Sequence, residues 1–105
     1  MNRELKNKRT EGVIRNILKI IAEVPVELTN RDKSILINLC FDYLLSKEYP
    51  AAIRVFSMQV LFNLSRELPE IGEELFRILE DQLPEASAGY RSRARRILKK
   101  GGRML

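Results

Sequence analysis

The sequence predicts an all-α fold in which about five helices stack as antiparallel hairpins. Apolar residues recur at helical spacing along nearly the whole chain, whereas the strict alternation of a half-buried strand is nowhere sustained. Shifting the sequence by 39 residues also superimposes its helical segments, and such internal similarity is typical of helical repeats that stack into a solenoid. We therefore predict helices over residues 11–24, 30–46, 51–68, 70–83 and 88–100.

The first two helices have contrasting apolar patterns. The first carries a stripe that includes Ile14 and Ile17, and Pro25 ends it because proline cannot continue a helix. Thr29 with Asp32 three residues later is a capping box that opens the second helix. Apolar residues surround the second helix on most sides, so we expect it to be buried between neighbours.

Prolines and glycines set the remaining boundaries. Pro50 and Pro69 stand where the third and fourth helices begin, as prolines of first helical turns do, and Pro84 ends the fourth. Gly101 and Gly102 stop the fifth helix. We expect three segments: a basic N-terminal extension over 1–10, a helical repeat domain over 11–100, and a flexible tail over 101–105.

The 39-residue shift matches both kinds of helix. It pairs Ile14-Arg15 with Ile53-Arg54, and Asp42 with Asp81. A third copy of the apolar-Arg pair is Tyr90-Arg91. An ordinary five-helix bundle with accidental self-similarity remains the alternative to a stack of repeats.

These elements resemble HEAT repeats, which are helical hairpins that stack into a solenoid. The resemblance lies in a proline-containing or polar turn followed by an apolar-Arg pair, as in Tyr49-Pro50-Ala51-Ala52-Ile53-Arg54 and in Ala88-Gly89-Tyr90-Arg91. It covers roughly residues 11–100, although Ser57 or Met58 stands where a small alanine is expected. The resemblance implies two and a half hairpins, with the first, third and fifth helices lining an inner surface. It also implies a non-enzymatic protein-interaction module.

Composition excludes several kinds of site. Histidine and tryptophan are absent, and Cys40 is the only cysteine. A Cys/His zinc site and a His-dependent catalytic pair therefore cannot be assembled within one chain, so we expect no catalytic residue, metal or cofactor. A single cysteine, expected to be a buried packing thiol, suits a reducing, cytoplasmic setting. No apolar run approaches the roughly 18–20 residues of a membrane span, and no signal peptide is expected.

Basic residues concentrate at the two ends of the chain. Residues 87–105 carry seven basic residues and no acidic one, residues 1–10 carry four basic and one acidic, and the body between them is acidic. If the resemblance holds, one basic inner surface combines six side chains: Arg15, Lys19, Arg54, Arg91, Arg95 and Lys99. Such a surface favours an acidic protein partner, and binding to nucleic-acid phosphates is the alternative.

Two further expectations concern polar and apolar residues in the helices. Asp42 lies in a largely apolar helix, so we expect it to be partly buried and bonded to Arg54, with Asp81 as its equivalent in a structural ladder. The first helix has more apolar residues than one neighbour can cover. We therefore expect either homo-oligomerisation through it or its coverage by residues 1–10. A third functional hypothesis is a fragment of an enzyme whose site lies elsewhere.

Overall fold

Five α-helices joined by short connections make up the computed structural model, which describes residues 8–103. The helices are α1 (Lys8–Glu23), α2 (Asn30–Leu45), α3 (Ala51–Leu64), α4 (Pro69–Gln82) and α5 (Ala88–Lys100). A single 3-10 turn, Leu83–Glu85, follows α4, and no strand occurs within residues 8–103. The predicted all-α fold is confirmed.

The third helix is the centre of a two-layer stack. α3 packs against each of the other four helices, with α1 and α5 on its two flanks. α1, α3 and α5 form one layer, and α2 and α4 form the other. Since α1 and α5 pack on α3 instead of on each other, the described helices form an open solenoid and not a closed bundle.

Burial is greatest where α3 meets its neighbours. Leu44 of α2, Ile53 and Leu61 of α3, Leu79 of α4 and Leu98 of α5 are each at most 1% exposed. The expectation for α2 is only half right, because one side of this helix is buried and the opposite side is not. Its exposed apolar residues are Ile35, Leu39 and Leu45.

Local capping follows the sequence signals. The Thr29 hydroxyl oxygen accepts a hydrogen bond of 3.0 Å from the Asp32 backbone N–H, which satisfies one free donor at the start of α2. Ser87 caps α5 in the same way through the Tyr90 backbone N–H. Pro69 occupies the first turn of α4, where its missing N–H costs nothing.

Two boundaries differ from the prediction by more than one residue. α1 begins at Lys8, three residues earlier than expected, and residues 1–7 of the expected extension lie outside the described range. α3 ends at Leu64, four residues early. Ser65 caps it, with its backbone N–H bonded to the Leu61 and Phe62 carbonyls and its hydroxyl donating to the Phe62 carbonyl.

The chain turns back onto α4 after the end of α5. Gly102 has a φ of +75°, a conformation that glycine adopts without strain and that ends α5. The chain then returns to α4, where Arg103 pairs with Glu80 at 3.0 Å and Glu73 at 3.3 Å and lies over the Phe76 ring. Residues 104–105 lie outside the described range. Among the helices described, none combines the length and the apolar character needed to cross a membrane.

Candidate interaction surface

Arg54 lies inside the stack and not on a basic surface. Its half-buried guanidinium donates Nε and Nη2 hydrogen bonds of 3.2 and 3.0 Å to the Leu44 carbonyl, and a third of 3.0 Å to Gln82 Oε1. The same group lies 4.8 Å from the centre of the Tyr90 ring. Arg54 therefore ties the end of α2 to the end of α4 and the start of α5, and its predicted place in the binding surface is wrong.

Gln82 and Tyr90 complete this buried polar cluster. The Tyr90 hydroxyl donates to Gln82 Oε1, and Gln82 Nε2 lies 3.4 Å from the Leu44 carbonyl oxygen. Burial raises the pKa of the Tyr90 phenol to about 12, and the Arg54 charge acts in the opposite direction. The phenol is thus a neutral structural donor at physiological pH.

The expectation for Asp42 is wrong. Asp42 is exposed, and so is Asp81, its equivalent in the second hairpin. Asp42 lies about 160° around α2 from the buried Cys40, on the side that carries the exposed apolar residues. The expected burial of Asp42 depends on neighbours on all sides of α2, and one side of α2 has none. Arg54 hydrogen-bonds to the Leu44 carbonyl and to Gln82 instead of to Asp42.

The basic residues of α5 divide into two lines on different sides of the helix. Arg93 donates to Gln59 Oε1 of α3 at 3.2 Å, whereas Arg91 donates to the Ala86 carbonyl before α5. These two arginines lie about 160° apart around the helix. Arg96 and Lys100 lie within about 60° of Arg93, whereas Arg95 and Lys99 lie within about 80° of Arg91. The second line faces the end of the stack and does not reach the surface of the α1–α3–α5 layer.

Arg15 and Lys19 of α1 lie on the surface of the α1–α3–α5 layer that points away from α2 and α4. Arg15 shares a cleft with Ala52 of α3, and Lys19 follows one turn later on the same side. Both side chains are exposed. We call this surface, which is lined by the first, third and fifth helices, the inner face. Its basic residues are Arg15, Lys19, Arg93, Arg96 and Lys100.

The floor of the inner face is uncharged. α3 presents Ala52, Val55, Gln59 and Asn63 there, all partly exposed. Gln59 Nε2 donates to Asn63 Oδ1 at 3.0 Å, and Asn63 Nδ2 donates to the Ala22 carbonyl of α1 at 3.0 Å. With Arg93 on Gln59, one line of hydrogen bonds crosses all three helices. The basic side chains of α1 (Arg15 and Lys19) and those of α5 (Arg93, Arg96 and Lys100) therefore flank a neutral strip on α3. We call these two sets the basic rails.

The opposite side of the molecule is acidic. α4 exposes Glu70, Glu73, Glu74 and Glu80, with Arg77 bonded to Glu74 at 2.8 Å. Among residues 8–103, no group of three or more acidic or cysteine side chains is arranged to hold a metal ion. Basic side chains are thus in excess on the inner face, where Glu11 lies in the same cleft as Arg15, and carboxylates are in excess on α4.

The comparison with protein families agrees with this architecture. Residues 1–101 match the family model described as the HEAT repeat domain, which covers nearly the whole chain. The chain belongs to the HEAT repeat domain family. No curated protein and no solved structure was matched. In this chain the HEAT repeat hairpins are α2–α3 and α4–α5. α1 corresponds to the second helix of a hairpin, and the described range contains no first helix to pair with it.

The sequence prediction selected one of the two basic lines of α5, and the structure places Arg93 of the other line against α3. It named the Arg91, Arg95 and Lys99 line for its even spacing, although both lines flank the buried residues Tyr90, Ala94 and Ile97. The order of the HEAT repeat layers decides between them, because only the side of α5 that continues the surface of α3 belongs to the inner face. Arg93, Arg96 and Lys100 are therefore the residues that the spacing alone did not select.

Proposed function

We propose that this HEAT repeat chain is a non-enzymatic interaction module whose inner face binds an acidic segment of a partner protein. The observation that carries the proposal is the pair of basic rails on α1 and α5 with the neutral strip of α3 between them. HEAT repeat domains are typically scaffolds for protein interactions, and the proposal assigns that role to one surface of this chain.

The dimensions of the inner face suit a helical or extended segment. Packed helices lie about 8–10 Å apart, so the axes of α1 and α5 are about 16–20 Å apart across α3. An α-helix with its side chains is about 10–12 Å wide and fits over α3 between the rails. Such a segment would place apolar or amide side chains on Val55 and Gln59, and carboxylates toward Lys19 on one side and Arg96 on the other.

The neutral strip favours protein over nucleic acid. A nucleic-acid site needs cations along the path of the phosphates, and aromatic side chains where bases stack. On the inner face the cations stand on two separate helices, and the floor between them is formed by Ala52, Val55 and two amides. Phosphate binding along one rail is the second candidate, carried by the run of α5 arginines and lysines.

A peptide titration tests the proposal. The probe is a synthetic 16-residue helical peptide with leucines along one side and glutamates along both flanks, labelled for fluorescence anisotropy. The variant R96Q/K100Q should bind it at least fivefold more weakly than the parent chain. The control R95Q/K99Q removes the same charge from the same helix outside the inner face, and should bind within twofold of the parent.

Salt dependence separates the two candidates. Peptide affinity should fall modestly between 50 and 200 mM NaCl, because part of the contact is uncharged. A labelled 20-base-pair DNA duplex serves as the competing probe, since each neutralised phosphate adds about 0.9 to the log–log salt slope. Tighter binding of the duplex than of the peptide at 150 mM NaCl, or equal loss in both double variants, contradicts the proposal.

A further inference from the structure

Exposed apolar residues are confined to the first part of the described chain. Eight large apolar side chains between residues 13 and 45 are 41–56% exposed, and the described residues after 45 contribute none. They are Val13, Ile17, Ile20, Val24, Val26, Ile35, Leu39 and Leu45. Apolar patches of this extent on a folded domain mark an interaction site more often than chance exposure.

Six of these side chains lie at the α1 end of the stack. Ile21 of α1 and Leu36 of α2 line one cleft, together with Val60 and Leu64 of α3, so the two helices border the same opening. The exposed stripe of α1 lies within about 40–100° of Ile21 around its helix, and Leu39 and Ile35 lie about 60° and 100° from Leu36 around theirs. We call this surface the open end and define it as Val13, Ile17, Ile20, Val24, Ile35 and Leu39.

Two occupants of the open end are unsuitable. The opposite end of the stack presents the line of Arg91, Arg95 and Lys99, so head-to-tail stacking of two copies would bury cations against apolar side chains. Residues 1–7 contain only two large apolar residues, Met1 and Leu5, against the six that form the open end. The surface that matches the open end on this chain is the open end itself.

The spacing along α1 is symmetric. Val13, Ile17, Ile20 and Val24 follow steps of four, three and four residues, which is the spacing of the seam in a coiled coil. The order Val-Ile-Ile-Val reads the same from both ends. An antiparallel copy therefore places Val13 against Val24 and Ile17 against Ile20, as a two-fold interface requires.

Charge supports the same orientation. Arg9 lies one turn before Val13, whereas Glu23 and Glu27 lie at the other end of the stripe. In an antiparallel pair, the Arg9 end of each α1 meets the Glu27 end of the other copy. In a parallel pair, the like charges would meet instead.

We infer that two copies of this chain associate open end to open end about a two-fold axis, with their α1 helices antiparallel. The dimer covers the apolar stripe of α1, with Ile35, Leu39 and the exposed Asp42 of α2 at its rim, and leaves both inner faces accessible. Ile17 and Ile20 form the centre of the contact. Charges at the two ends of the stripe set its orientation.

Sedimentation equilibrium of the full chain at 5–500 μM tests the association. The parent chain should reach twice the mass of one chain within this range. I17E should weaken association at least 30-fold, because it places a carboxylate at the centre of the interface. Asn16 is the exposed neighbour outside the stripe, and N16E should leave the dimer unchanged. A monomeric parent chain at 500 μM, or equal weakening by both variants, overturns the inference.

Cysteine cross-linking tests the orientation. In a C40A background, a mixture of I17C and I20C chains should form the mixed disulfide at least fivefold faster than either chain alone forms its own. Faster homogeneous cross-linking of I17C would show a parallel pair and contradict the antiparallel arrangement. Circular dichroism of every variant should show the parent helix content, since Ile17 and Ile20 are about half exposed in one copy and the buried C40A change is common to all cross-linking chains.

Discussion

At the residue scale, Arg54 connects the ends of α2 and α4 through its guanidinium group. The repeated apolar-Arg pair correctly marks the start of α3, but the pattern does not tell where the guanidinium goes. Arg54 turns inward because the end of α2 leaves the Leu44 carbonyl without a helical donor. The planar Arg54 guanidinium has several N–H donors, so it hydrogen-bonds to that carbonyl and to Gln82 at the same time.

Replacing Arg54 should therefore destabilise the fold, whereas replacing Asp42 should not. R54A leaves the Leu44 carbonyl and Gln82 without this donor and should cost about 2–3 kcal/mol. D42A removes an exposed side chain and should change stability by less than about 0.5 kcal/mol. For a domain of this size, thermal melts should show a shift of about 10 °C for R54A and almost none for D42A. Equal shifts in melting temperature would show that Asp42 has the structural role that the sequence predicted for it.

Ser57 is a second residue whose role depends on its surroundings. Its hydroxyl is fully buried, and the Cys40 thiol, a weak donor, is its neighbour. S57A should leave stability unchanged or raise it by about 1 kcal/mol, because it removes a buried hydroxyl that is poorly satisfied. Urea unfolding measures this, and a loss of more than about 1 kcal/mol would show that the hydroxyl makes a strong bond.

At the element scale, the helices are well predicted and their ends less so. Thr29, Pro69 and Gly102 act as local signals, and local signals suffice for capping and stopping a helix. The end of α3 is different, because the sequence around Ser65 contains no proline or glycine, so no local signal marks the residue that caps this helix. The inner face, too, is not fully marked by local signals in the sequence. Its residues on α1 follow from the repeat, but the correct side of α5 depends on how the layers pack.

Asn63 fastens α1 to the stack. It donates to the Ala22 carbonyl in the last turn of α1, where carbonyls lack helical partners. N63A should accelerate amide hydrogen exchange in α1 by about tenfold, corresponding to about 1–1.5 kcal/mol, while α4 and α5 stay protected. Q59A is the control, because it breaks the contact with α5 and leaves the Asn63–Ala22 bond in place. Uniform acceleration in all helices would contradict a local role for Asn63.

At the scale of the whole molecule, three surfaces with different chemistry surround one core: a basic inner face, an acidic α4 side and an apolar open end. The sequence predicted their existence from charge segregation and from the excess of apolar residues in α1. It did not predict that α2 shares the open end, because the pattern of α2 is apolar on most sides and does not show which side lacks a neighbour. The core itself follows directly from the helical spacing of its leucines and isoleucines.

Buried acids make the whole fold sensitive to alkali. Burial raises the pKa of the Cys40 thiol from 9.0 to about 12, partly offset by Ser57, and that of the Tyr90 phenol from 10.0 to about 12, partly offset by Arg54. Between these values the unfolded chain loses protons that the folded chain keeps, so stability falls as pH rises from about 9 to about 12. Below pH 9 this contribution is fully present.

Melting temperatures from pH 7 to 11 check this dependence. The parent chain should lose stability progressively above pH 9. Y90F should be less stable at pH 7, because Gln82 loses a hydrogen bond, but its melting temperature should fall less steeply above pH 10. Identical slopes for the two proteins would show that Tyr90 does not contribute to the alkaline transition.

The inner face is tested most directly as the binding surface by a map of amide chemical shifts on the full chain during titration with the acidic helical peptide. The largest changes should fall on Lys19, Val55, Gln59, Asn63 and Arg96, which belong to three helices but to one surface. Changes confined to Arg91, Arg95 and Lys99, or spread over α2 and α4, would contradict the assignment of the inner face as the binding surface.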